Sequence, residues 1–184
     1  MKFIDYSPLA LRTAKPLPHE QQVLHALLGL VTEVGELADC IKRHVIYSKP
    51  LDNVNLMEEV LDSFWYLNLY MYEMKLGGGI VDELTPDRPA ADWELVRGAL
   101  YLNSLVGTLN VPDIERGVPA SEVVAAIAGL LLNTLNASGF TLSDALTRNI
   151  DKLALRYGDK YSDYNALNRD TTAERALLEG VPGG

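Results

Sequence analysis

Two stretches decide how this chain folds: LGLVTEVGELADCIKRH at residues 28–44 and NLMEEVLDSFWYLNLYMYE at residues 55–73. In the first, Leu30, Val31, Val34, Leu37, Ala38 and Ile41 recur at the spacing of one helix face. The second is apolar almost all round after Asp62, with Phe64, Trp65, Tyr66, Leu67, Leu69, Tyr70 and Met71. A helix of that kind is buried. Each stretch carries two acids three residues apart, Glu33 with Glu36 and Glu59 with Asp62. Such pairs lie on one side of a helix. Like charges there repel, and each costs more on leaving water. The cluster therefore calls for a positive group among the four. Hard divalent cations, magnesium above all, take oxygen ligands of this kind, so Glu33, Glu36, Glu59 and Asp62 are read as metal ligands.

Outward from these stretches the pattern stays helical. The first long helix is expected from about 19 to 45, and Ser48, Lys49 and Pro50 break it. The second starts at Asp52 or Asn53, either of which can cap it, and runs to about 75. Glu33 and Glu36 fall beside the apolar stripe, on a face shared with the small Gly29 and Cys40, which admits a close neighbour or ligand. Glu59, Asp62 and Tyr66 project onto one strip at the mouth of the core. Residues 77–79 are glycines and form a turn; 80–90 read as loop. Further helices are expected over 91–109, 121–136 and from Thr141 or Ser143 to about 157, with turn signals at 110–113 and 117–119. No strand alternation is convincing, so the class is all-α: a helical bundle.

The expected organisation is an irregular N-terminal arm over 1–18, set by Pro8, Pro16 and Pro18, then a helical domain over 19–158, then a polar tail over 159–184 in which 171–178 can add a short helix. There is also an internal echo. LGLVTEVGEL at 28–37 aligns with LYLNSLVGTL at 100–109, placing Glu33 against Leu105 and Glu36 against Thr108. Either a two-helix unit is followed by a degenerate copy that lost its carboxylates, or apolar helices simply look alike.

The 184 residues suffice for one domain of ordinary size, and 48% hydrophobic residues give it a core. A net charge of −9 and a pI near 4.8 argue against binding a nucleic-acid polymer or an anionic membrane surface. A nucleotide is compatible, since metal and a few local cations can carry its phosphates. The single cysteine, Cys40, excludes an internal disulfide and fits a reducing, cytoplasmic setting. No secretory signal is read at the start. The longest apolar run, at 123–132, falls well short of the roughly 20 residues a membrane span needs, and reads as a core helix.

GLVTEVGELADCIKRH followed by LMEEVLDSFWYLNLY resembles the MazG-like, all-α nucleoside triphosphate pyrophosphohydrolases, whose signature is E-x-x-E, a spacer and E-x-x-D. The block TLSDALTRNIDKLALRYGDKYSDYNALNRD resembles the closing helix and tail of that family, matching at Asn149, Lys152, Arg156 and Tyr157, with Asn168, Arg169 and Asp170 beyond. The likeness covers 19–75 and 138–172. Two departures stand out: 76–137 is an insert where compact members have a short turn, and the tail reads RYGDKYS rather than the more usual Pro-containing form. The resemblance implies hydrolysis of a (deoxy)nucleoside triphosphate to the monophosphate and pyrophosphate. It implies Mg²⁺, for which Mn²⁺ can substitute, and assembly as a homodimer or homotetramer. Glu36 or Glu59 would take the proton of the attacking water; Lys42, Asn149, Lys152, Arg156 and Tyr157 would bind substrate. Competing readings are a non-catalytic helical partner that kept the fold, and a related enzyme acting on another pyrophosphate.

Each feature also has a plainer reading. Basic Lys42 and Arg43 suit a helix C-terminus. Asn149 and Tyr157 can be capping and packing groups. Trp65, Tyr66, Tyr70 and Tyr72 are read as core before base-stacking groups, and Asn68 as an amide bonded to a neighbouring helix. Asp39 and Glu58 project away from the pairs and are expected to support rather than ligate. His19, His25 and His44 show no metal spacing, and the glycines at 77–79 have no following Lys-Ser/Thr, so they are not a phosphate loop.

Overall fold

The structure, a computed structural model, describes residues 1–86, 91–110 and 117–180. Among them there is no strand, and the protein is all-α. The helices are α1 (Phe3–Leu11), α2 (His19–Val45), α3 (Asn53–Glu73), α4 (Gly79–Asp82), α5 (Asp92–Thr108), α6 (Ala120–Ala137), α7 (Leu142–Tyr157), α8 (Asp163–Leu167) and α9 (Thr171–Glu179).

Four of them close a ring. α2 packs on α3 and α5, and α6 packs on α3 and α5. Leu30, Val34 and Leu37 of α2, Leu56, Val60, Phe64 and Leu67 of α3, and Val124, Ile127, Ala128 and Leu131 of α6 are fully buried between them. Each large side chain so placed contributes about 1.5–3 kcal/mol. The ring thus sets α2 and α3 on one side and α5 and α6 on the other. α6 alone is long and apolar enough, among the described residues, to cross a membrane, and half of it is buried in the ring.

Local chemistry sets the ends. Lys42, Arg43 and His44 occupy the last turn of α2. Asp52 caps α3 by accepting from the Asn55 amide at 3.0 Å, and Thr141 caps α7 through the Asp144 amide at 3.2 Å. Such caps are worth about 1 kcal/mol each. Gly158, at φ 64, lets the chain leave α7 where an L side chain would be strained.

The first 18 residues differ from expectation. They are not an irregular arm, because Phe3–Leu11 is helical and runs straight through Pro8. Phe3, Tyr6 and Ala10 are fully buried, and α1 lies against α3, α4 and α7. The Asp82 carboxylate accepts from the Phe3 and Ile4 amides at 2.7 and 3.0 Å, doing for α1 what an N-cap does. An interior proline costs a helix roughly 3 kcal/mol, and burying two aromatic rings offsets it. The expected loop after residue 79 also begins with one helical turn, Gly79–Asp82, the turn that supplies Asp82. α8 is a further short helix in the tail. The turn signals at 111–113, and Pro89, lie outside the described residues.

Candidate metal and anion site

α2 and α3 lie side by side, so their acidic strips face each other. Single oxygens of Glu33, Glu36 and Glu59 come within 4.8 Å of one another. None of the three makes a hydrogen bond or ion pair among the described residues. Glu59 is buried, Glu33 half-buried and Glu36 exposed. Burial first, then the charges of Asp62 and Glu36, pushes Glu33 up to about 7. Burial, with Asp62, Glu36, Glu33 and Glu58, pushes Glu59 up to about 8. The cluster therefore holds protons that a free carboxylate would have lost. Oxygens around one octahedral magnesium sit about 3–4 Å apart. Three unpaired carboxylates already within 4.8 Å fit such an ion after small side-chain adjustments.

Asp62 lines the same cleft but is held elsewhere. Its two oxygens take the Lys152 ammonium at 2.7 and 2.8 Å, and the Asn149 amide donates to it at 3.4 Å. Lys152 is fully buried and also reaches Glu58 at 3.2 Å. Burial works against its charge, but Asp62 and Glu58 outweigh that and raise it. Asn149 accepts from the Tyr6 hydroxyl at 2.8 Å, so α1 props the layer beneath Asp62. Of the four expected ligands, three converge and the fourth is turned to a lysine. Glu58, expected to project away from the pairs, lines the same cleft and accepts from Lys152.

The cleft measures about 340 Å³. Besides the acids, it is lined by Trp65, Tyr66, Tyr157 and Tyr161, with Arg156 and Arg169. Six carboxylates line it against two arginines, an excess of negative charge that favours a cation. A second cavity of about 660 Å³ shares Glu36 and Glu59 and is lined by Arg43, Lys49, Cys40 and Asn55. The acid cluster thus stands between two spaces.

The expected substrate contacts divide. Arg156 and Tyr157 line the cleft. Asn149 and Lys152 lie behind Asp62, fully buried, and line neither cavity. Lys42 is misplaced by the sequence reading: it is exposed, pairs with Asp39 and lines neither cavity. It lies six residues past Glu36, about 120°, or one-third of a turn, off that face. Arg43, seven past, returns to it and lines the second cavity, paired with Asp39 at 2.6 Å. The aromatics also divide, since Tyr70 is core and Tyr72 is exposed while Trp65 and Tyr66 reach the cleft. Gly29 serves Tyr66: a Cβ there would sit 2.1 Å from the ring. Asn68 donates to the Ser7 carbonyl at 3.3 Å, as a buried amide bonded to a neighbouring helix should.

Glu174, Thr13 and Tyr161 are cleft residues that the sequence reading missed. Arg169 fell within the tail resemblance without a role. The helix over 171–178 was expected, but nothing in sequence spacing ties its Glu174 to Arg156 on α7. No family model, curated protein or solved structure matches the chain.

Proposed function

We propose that the protein is a magnesium-dependent hydrolase of a (deoxy)nucleoside triphosphate, releasing pyrophosphate and the monophosphate. The observation that carries this is the convergence of Glu33, Glu36 and Glu59, unpaired among the described residues, in a cleft that Arg156 and Arg169 also line. Acids and arginines in one cleft suit a ligand that is itself anionic and bound with a cation. Magnesium held by the three glutamates would neutralise phosphate oxygens and ease deprotonation of an attacking water. Glu36 and Glu59 line both cavities, so a phosphoryl group beside them has space for the nucleoside on one side and pyrophosphate on the other. With a cation bound, the glutamates would be ionised, and Glu36 or Glu59 would be placed to take the proton of the attacking water. Lys152 fixes Asp62 at the edge of the cluster; the arginines face negative charge that develops on the leaving group.

The four-helix ring closes within the chain. Self-association is proposed as a dimer, supported by Leu24, Leu28 and Val31 standing exposed in one stripe along α2. A reducing, cytoplasmic setting remains the proposal that the lone Cys40 supports.

The test is pyrophosphate release from the common ribo- and deoxyribonucleoside triphosphates, with and without Mg²⁺. Release that depends on the metal and disappears in folded Glu36→Gln and Asp62→Asn variants supports the proposal. Well-folded protein that releases nothing with metal present refutes it, and would favour a non-catalytic helical partner.

A further inference from the structure

The tail folds back to place a carboxylate between two arginines. Arg156 approaches Glu174 side-on, donating from Nε to Oε1 at 2.8 Å and from Nη2 to Oε2 at 2.5 Å. Arg169 donates from Nη2 to the same Oε2 at 2.8 Å. One oxygen therefore bridges two guanidinium groups. Glu174 is almost fully buried, and all three side chains line the cleft that also holds the acid cluster.

The carboxylate cannot easily swing away. Asp170 caps α9 through the Ala173 amide at 2.9 Å. Arg148 donates to the Leu178 carbonyl at 2.7 Å, and Leu178 is fully buried. Arg175 reaches from α9 to Asp52 at 2.8 Å, the residue that caps α3. Glu174 is thus a fixed post. The arginines lean on it and would otherwise repel each other.

A guanidinium has five N–H donors. Arg156 spends two on Glu174 and Arg169 spends one. The triad keeps a net positive charge and unspent donors, in a cleft whose other charged groups are acids. A structural staple would account for the bonds of Arg156, which is well buried. It does not account for Arg169, whose side chain is 39% exposed and gains little stability from a surface pair.

We propose that Glu174 is a positioning residue that holds Arg156 and Arg169 together as a two-armed receptor for the pyrophosphate end of the substrate. This rests on the nucleotide reading above and adds to it the second arm, Arg169, and the post that sets the spacing of both. Phosphate oxygens take parallel N–H donors from arginine well, and the benefit depends on the forks being held in place.

The experiment measures binding of inorganic pyrophosphate, in Mg²⁺, to the full chain by calorimetry. The variants are Glu174→Gln, Glu174→Asp and Arg169→Ala. Glu174→Asp keeps the charge but shortens the reach, so it separates position from charge. All three are expected to weaken pyrophosphate about tenfold, the equivalent of one charge-assisted hydrogen bond. For any nucleotide that the protein hydrolyses, KM is expected to rise in parallel with less change in kcat. Arg169→Ala removes an exposed side chain from a connection, so it remains informative if the Glu174 variants fold poorly. The proposal is overturned if wild-type protein does not bind pyrophosphate, if Arg169→Ala binds it unchanged, or if folded Glu174→Asp matches wild type while Glu174→Gln binds more tightly. The last pattern means that the carboxylate only screens the arginines. Binding that weakens in the variants while no nucleotide is hydrolysed overturns the activity and leaves the anion receptor standing. Hydrolysis with KM unaffected by the variants does the reverse.

Discussion

The protons held by the acid cluster give the protein a pH dependence that magnesium should reverse. Glu33 and Glu59 rise from 4.5 to about 7 and about 8 in the fold. A carboxyl group raised by folding contributes stability that is fully present below its unfolded value and is lost as pH climbs through its folded value. The window is therefore roughly pH 5 to 8, with stability falling as pH rises. At about 1.4 kcal/mol per unit, the two shifts correspond to ~3 and ~5 kcal/mol before correction. Each shift already contains the charge of the other, and both groups keep some contact with water. After discounting for both, ~3 kcal/mol is the expected loss. For a chain of this size that is about 6–12 °C in Tm. His25 and His44 add their own pH dependence with opposite signs, one lowered by burial and the other raised by its bond to the Lys49 carbonyl. The assay is therefore a difference: urea unfolding of wild type against Glu33→Gln/Glu59→Gln, in chelator, at several pH values across the window. Wild type should lose ~3 kcal/mol relative to the double variant as pH rises. With excess Mg²⁺ the wild-type trend should invert, because ligation requires the deprotonated forms. Equal slopes for the two proteins in chelator would refute the reasoning, as would a wild-type trend that magnesium leaves unchanged.

Three further outcomes follow from packing and charge. Gly29→Ala should cost ~1–3 kcal/mol in urea unfolding and disturb the cleft, since the new methyl meets the Tyr66 ring at 2.1 Å while Trp65 and His25 hold that ring on other sides; unchanged stability would show that Tyr66 is free to move. Lys152→Met should cost about 2–4 kcal/mol by the same measurement at neutral pH, because it leaves Asp62 and Glu58 without their buried cation. A cost under about 1 kcal/mol would show that the ammonium contributes little there. Phe3→Ala should cost about 3–5 kcal/mol by the same measurement, whereas a loosely attached arm would lose almost nothing.

What sequence could reveal depended on whether the information was local. The spacing of Leu30, Val34 and Leu37, and the cap at Asp52, lie within single helices, so α2 and α3 begin and end close to where periodicity and breakers place them. The acidic strips were legible for the same reason, as three-residue spacing fixes a shared face before any tertiary contact is known. α1 was not legible. Its proline argues against a helix locally, and only burial of Phe3 and Tyr6 with capping by Asp82, 79 residues away from Phe3, overrides that. The angle around α2 separates Lys42 from the Glu36 face, whereas Arg43 returns to it and lines the second cavity.

The division of labour among the charged groups was the least accessible of all, because it depends on which residues the closing helix and tail bring opposite the acids. Lys152 was singled out as a phosphate contact from its type and place on α7. Packing α7 on α3 puts it instead against Asp62, where a buried ammonium offsets one carboxylate of the quartet and leaves three without a partner among the described residues. The tail repeats the logic with the signs exchanged, one Glu174 set between two arginines. The cleft thus has an acidic side short of positive charge facing a basic side with positive charge to spare. A metal-free anion would answer only the second need and a bare cation only the first, whereas the ligand proposed above, a polyphosphate carrying magnesium, would answer both.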